Sequence, residues 1–219
     1  MSAFPTRILL ATDGSEEAAL AARAASDLSD RAGAKLYVVH AWQYLSPPTL
    51  PAMAMDEYSR VYEQYEREAG ELLEEQAQRL RRAGGTVAGT HLRTGRPEEE
   101  IAGLTEELEA DLMVVGSRGL GPVKRLVVGS VSERVVQLDP CPTLVVRDGE
   151  GSWPPSRVIV GDNASEEARR AGEVAAGIGK LFHVRTLLVR VYPQVTVFKA
   201  SRISHVRASK ELLKKARDP

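Results

Sequence analysis

The sequence predicts an α/β fold: an open, doubly wound sheet of five parallel strands with helices on both faces, followed by a C-terminal half repeat. Short apolar runs alternate strictly with amphipathic stretches through residues 1–148. Two of those runs end in glycine-bearing turns, "TDGS" at 12–15 and "GSRG" at 116–119. The opening pattern then returns after residue 156.

The elements follow in order. "TRILLAT" is a buried strand ending in the turn Asp13-Gly14-Ser15. Residues 16–32 place Ala18, Ala21, Ala25 and Leu28 at helical spacing, with Glu16 and Glu17 in the first turn, where the helix dipole favours acids. "AKLYVVHAW" is the second strand, the Pro-rich loop "YLSPPTLPAMAM" follows, and a charged helix runs from about Asp56 to Ala83. Residues 86–93 form the third strand, and Pro97 with Glu98 to Glu100 opens the next helix. "DLMVVG" is strand four, residues 130–138 the fourth helix and "PTLVVR" strand five. In such sheets ligands sit beyond the carboxyl ends of the strands, which is where the turns at 11–15 and 116–121 fall.

Composition excludes several classes. The chain has 219 residues with 29 basic against 30 acidic, so no global field draws it to nucleic acid or membrane. Cys141 is the single cysteine, so no internal disulfide forms. The N-terminus does not read as a signal peptide and no apolar run approaches ~20 residues, so a soluble, cytoplasmic protein is expected. His40, His91, His183 and His205 lack metal-ligand spacing. Trp42 and Tyr44 are candidates to shield a ligand and residues 45–55 a candidate lid, on length and proline content.

"GSRGLGPVKRLVVGS" at 116–130 carries the chemistry. Glycines leaving a parallel strand let successive N–H groups converge on an anion, Arg118 adds a two-pronged donor, and Gly129-Ser130 opens a helix whose positive end favours phosphate. The same residues also read as ordinary turn glycines, with Ser130 and Glu133 as a capping box. Asp13 reads likewise as an N-cap for the first helix. Neither a P-loop nor a G-x-G-x-x-G fingerprint is present.

The pattern Gly116, two residues, Gly119, nine residues, Gly129-Ser130 resembles the nucleotide-binding signature of the universal stress protein family. The resemblance spans residues 5–147 through "RILLATDGSEEA", "VVHAW" and "DPCPTLVVR". It implies a Rossmann-like, adenine nucleotide alpha hydrolase-like fold and a stress-response protein that binds ATP, or ADP or AMP. Asp13 resembles the family's acidic residue near the ribose and a bound metal, Mg2+ or Mn2+. Ala11 and Thr12 line the same pocket, Ala41 meets adenine through its backbone, and Val115 flanks the base. Gly116, Arg118 and Gly119 hold phosphates from one side, and Gly129, Ser130, Val131 and Ser132 from the other. The resemblance also implies a homodimer through "TLVVR" at 143–147.

Residues 1–148 therefore read as the nucleotide-binding domain, 149–156 as a linker and 157–219 as a partial second repeat without the glycine loop. "RVIVGDNASEEA" at 157–168 aligns with "RILLATDGSEEA" at 7–18, "TLLVRVY" with "LYVVHAW", and "RASKELL" at 207–213 with "REAGELL" at 67–73. Asn163 stands where the first copy has Asp13. Two strands cannot cover their own apolar faces, so the half repeat must pack on the first domain, pair with another chain or remain partly disordered, and enlargement of a homodimer interface is the expectation adopted. The basic tail from Phe198 reads as a solvated face, and no nucleic-acid or membrane partner is expected. The leading functional reading is nucleotide binding that acts through conformation or assembly, with no catalytic residue assigned. The alternatives are a slow ATP hydrolase or nucleotide-dependent transferase, and a nucleotide-free interaction module.

Overall fold

A computed structural model of the chain describes residues 4–43, 55–119, 129–138, 140–147 and 153–190. The candidate lid with Tyr44, the middle of the glycine stretch with Lys124 and Arg125, and the tail with its "RASKELL" match lie outside the described residues. The main sheet contains β1 (Arg7–Ala11), β2 (Lys35–Trp42), β3 (Val87–Thr94), β4 (Leu112–Gly116) and β5 (Thr143–Val146). Its helices are α1 (Glu16–Ala32), α2 (Met55–Arg82), α3 (Pro97–Glu107) and α4 (Ser130–Leu138). Strand order is β3-β2-β1-β4-β5, every neighbouring pair parallel, as the alternation of elements predicts.

Because successive residues of a strand face opposite ways, each central strand feeds two cores. Ile8, Leu10, Leu36, Val38, Leu112 and Val114 meet Ala21, Ala25 and Leu28 of α1 and Leu73 and Leu80 of α2. Leu9, Val39, Met113 and Val115 meet Ile101 and Leu104 of α3 and Val135 of α4. Burying each large side chain is worth about 1.5–3 kcal/mol, which is why apolar residues run unbroken through β1 and β4. The start of β1 is tied to the start of β4 by Asp111, whose carboxylate accepts from the amides of Thr6 and Arg7 and from the Thr6 hydroxyl.

Two helix starts differ from the sequence expectation. The N-cap of α1 is Ser15, whose Oγ accepts the Ala18 amide at 3.2 Å. Asp13 instead accepts the Ser15 amide at 3.0 Å, a side-chain turn that presents the cap. At α4 the Gly129 carbonyl accepts the Glu133 amide at 2.9 Å, so Gly129 is the N-cap and Ser130 already lies inside the first turn. The Ser130–Glu133 capping box is therefore not the start of this helix.

After the main sheet come β6 (Arg157–Gly161), α5 (Glu166–Leu181) and β7 (Arg185–Val189), with β6 and β7 forming a separate parallel pair. The strand register and the helix-capping bonds of this unit have counterparts 150 residues earlier. The register from Arg157↔Arg185 to Gly161↔Val189 matches Arg7↔Lys35 to Ala11↔Val39. Asp162 N–H donates to the Val189 carbonyl as Thr12 does to Val39, and Ser165 caps α5 through Ala168 as Ser15 caps α1. The unit packs on α1: Trp153 Nε1 donates to Asp27 at 2.8 Å, Trp153 meets Phe182 edge-on, and the Arg31 guanidinium lies 4.6 Å over the Phe182 ring. Ile159, Leu187, Leu188 and Val189 stay exposed, in keeping with the expectation that two strands cannot cover their own faces.

The left-handed positions correspond too. Gly14 (φ 78) and Gly33 (φ 66) in the first unit become Ala164 (φ 68) and His183 (φ 54) in the second. A Cβ in that region meets the neighbouring peptide, costing about 1–2 kcal/mol. Ala164→Gly is therefore expected to raise unfolding stability by about 1 kcal/mol. Gly14→Ala should lower it by at least as much, because the new methyl also lies 3.1 Å from Leu72 Cδ1. Urea unfolding of the two variants against wild type checks both signs.

Candidate functional site

The helices that follow β1 and β4 leave on opposite faces of the sheet, so a crevice opens between the carboxyl ends of these two neighbouring strands. Two turns meet there. In the first, Thr12 is buried, its amide donating to the Val39 carbonyl at 2.9 Å and its carbonyl accepting His40 Nδ1 at 2.8 Å. His40 thus fixes the backbone just before Asp13. Ala11 and Ala41 sit half-buried on the side of the second core. Val115, 4% exposed, is sealed in that core and forms floor rather than wall.

The second turn is brought against the first with no space for side chains. A Cβ on Gly119 would lie 2.1 Å from Asp13 Oδ2, and one on Gly116 would lie 2.9 Å from the Glu17 carbonyl carbon. Gly116 is thus required by the first turn of α1, whatever else it does. Ser15 Oγ reaches the Arg118 carbonyl at 3.4 Å, a further link between the turns.

The β4–α4 connection is closed at its base. Gly129 N–H donates to the Ser117 carbonyl at 2.6 Å, and Ser132 Oγ donates to the Gly116 carbonyl at 2.7 Å. A Cβ on Gly129 would stand 3.4 Å from Arg118 Cα and 3.6 Å from the Gly119 nitrogen, so the helix start lies beside the turn. Gly129 as N-cap brings no side chain to accept the amides of Ser130, Val131 and Ser132. Asp13, Gly116, Arg118, Gly119 and residues 129–132 are thereby gathered at one place.

Arg118 has an occupation that the sequence did not disclose. Its Nε and Nη2 both donate to Glu17 Oε1, at 2.7 and 2.5 Å, while Glu17 Oε2 accepts the Ser117 hydroxyl. Glu17 itself is buried. Burial pushes its carboxyl up, but the bonds from Ser117 and Arg118 outweigh this and hold it below the ordinary value. Ser15, Glu17 and Ser117 are the site residues that sequence reading missed. Glu17 is about 100 positions from its partners, and its place in a first helical turn explains an acid there without them. Trp42 packs at 5.3 Å on Tyr62 of α2, and its indole Nε1 is buried with no hydrogen-bond partner among the described residues.

Comparison with known proteins bears on the same residues. The model of the universal stress protein family matches residues 5–147. A universal stress protein of Staphylococcus haemolyticus (strain JCSC1435) is 40% identical over 147 residues, covering 65% of this chain and 85% of that one. The solved universal stress protein UspA of Lactobacillus plantarum superposes with a TM-score of 0.57 at 24% identity, over 65% of this chain and 97% of that one. A universal stress protein of Archaeoglobus fulgidus DSM 4304 superposes with a TM-score of 0.63 at 24% identity, over 86% of this chain and 68% of that one. At such identities the two structures speak for the fold.

The Glu17 contacts generate a test on stability. A carboxyl held below its ordinary value of 4.5 in the folded state contributes stability that is complete above that pH and is lost as pH falls through the folded-state value. Glu17→Gln removes the titration, so its unfolding midpoint should fall less steeply than that of wild type below pH 4.5. Thermal unfolding across pH 3 to 7, a range of about four units, reads the difference directly. Parallel curves for the two proteins would exclude the ionised pair.

Proposed function

The chain belongs to the universal stress protein family, and from that premise we propose that it binds one adenine nucleotide at the crevice between β1 and β4. The observation that carries the reading is the meeting of the glycine turn with the start of α4. Amides of the turn stand beside a helix end whose N-cap is glycine, where backbone N–H groups and the helix dipole favour phosphate. A Cβ on Gly129 would stand between the helix end and the turn, against Arg118 Cα and the Gly119 nitrogen, and its absence is the sense in which the residues fit a phosphate group.

In this reading Gly116, Arg118, Gly119 and residues 129–132 serve the phosphates. Ala11, Thr12, Ala41 and Val115 back the base and ribose, and Asp13 would face the ribose or hold an Mg2+ or Mn2+ ion, which would supply positive charge to the phosphates. ATP, ADP and AMP present the same chemistry to such a site. Binding, not turnover, is the proposed activity, with output through conformation or assembly in a cytoplasmic stress response. Residues 1–148 are the nucleotide domain, 149–156 a linker and 157–219 a partial second copy. The matching strand register of β6 and β7 with β1 and β2, and the shared serine caps of α5 and α1, support the copy. No described helix is long and apolar enough to cross a membrane. The outer edge of β5 offers a pairing edge for a homodimer.

Asp13→Asn is the discriminating variant. Asn163 makes the same turn bond at 3.0 Å that Asp13 makes, so the substitution keeps the backbone and removes the charge. Calorimetric titration of ATP with Mg2+ into nucleotide-stripped protein should show about one site per chain. Asp13→Asn should weaken it about tenfold at unchanged thermal stability, and Gly119→Val should abolish it. A correctly folded wild-type chain that takes up no adenine nucleotide would overturn the reading.

A further inference from the structure

Glu17 has no assigned part in nucleotide binding, yet both of its carboxylate oxygens are committed at the edge of the crevice, to Arg118 on one side and Ser117 on the other. Its side chain is 10% exposed. Helix capping does not demand this burial, because Glu167 takes the corresponding first-turn position in α5 and is exposed. The glycine turn is what encloses Glu17: Gly116 lies against its backbone and Ser117 and Arg118 close over its carboxylate.

The consequence is electrostatic. A free arginine beside a phosphate site acts as a unit charge that each added phosphate feels. An arginine with a fixed carboxylate on its Nε and Nη2 acts as a dipole, whose field decays faster with distance. Its remaining N–H donors still serve a phosphate in contact. Resting on the nucleotide reading, we propose that Glu17 is a positioning residue that sets how this site ranks nucleotides by phosphate charge. By orienting and compensating Arg118 it favours AMP and ADP over ATP, relative to the same site without the carboxylate.

The test is a ligand series: adenosine, AMP, ADP and ATP titrated without divalent cation, at low salt, into wild type and three variants. Glu17→Gln keeps the shape and the acceptor oxygen but removes the charge. It should tighten ATP about tenfold and AMP about twofold, leaving adenosine unchanged. The double variant Glu17→Gln/Arg118→Gln removes both charges together. Compared with Arg118→Gln, which loses the same phosphate donors but keeps the carboxylate, its ATP-to-AMP affinity ratio should be about tenfold higher. The double variant also keeps the proposal testable should the single change not fold, since replacing a buried pair as a unit leaves no unpaired charge.

Equal changes for adenosine and ATP in Glu17→Gln would show a purely structural role and overturn the proposal. So would weaker ATP binding in Glu17→Gln, or an ATP-to-AMP ratio in the double variant no higher than in Arg118→Gln. Failure of the nucleotide reading is separable. If wild type binds none of the four ligands, inorganic triphosphate is the probe. Tightening by Glu17→Gln then upholds the charge effect at a non-nucleotide anion site, and no response refutes both.

Discussion

The first turn of α1 passes directly over the end of β4, and the rest of the site depends on that crossing. Contact is so close that residue 116 has room for hydrogen alone, and the carboxylate of Glu17 reaches through to Ser117 and Arg118. The same crossing sets Asp13 against Gly119. Because β1 and β4 are central strands locked on one side by Ile8, Leu10, Leu112 and Val114 and on the other by Leu9, Met113 and Val115, the crossing is anchored in the stiffest part of the sheet. Polar chemistry at the rim is thus held by apolar packing beneath it.

The fold was legible in the sequence because its signals are local and repeated. Unbroken apolar runs such as Ile8 to Leu10 and Leu112 to Val115 mark strands buried on both faces, and amphipathic stretches between them mark the covering helices. The candidate site was legible as far as backbone demands reach: Gly116, Gly119 and Gly129 do converge with Asp13. Less legible were the details on which competing local bonds decide. Asp13 and Ser15 are both good caps, and the choice falls to Ser15 because Asp13 is spent on the Ser15 amide. At α4 the pull of the Ser117 carbonyl on Gly129 moves the helix start one residue ahead of the Ser130 signal. Glu17 was illegible for a different reason: its partners are set by topology, which no local window contains.

The second unit shows how far backbone geometry outlasts the residues that suit it. Its register, its caps and its turn bonds follow the first unit, while alanine and histidine occupy the left-handed positions that glycine holds earlier. Its docking uses a different vocabulary from the main sheet: aromatic edges, a guanidinium over a ring and an indole donor, all directed at the far end of α1 from the crevice. One helix therefore carries the candidate site at its N-terminus and the added unit at its C-terminal half.

The bond from Gly129 to Ser117 also has a meaning for protein design. It closes the chain between residues 117 and 129 into a ring whose base is fixed by backbone atoms and by Ser132. Loop-closure entropy rises only logarithmically with length, about 0.6 kcal/mol for each doubling. Connections of different length across this base therefore differ little in their thermodynamic cost to the sheet below, and the base is an accessible place to graft new specificity by design.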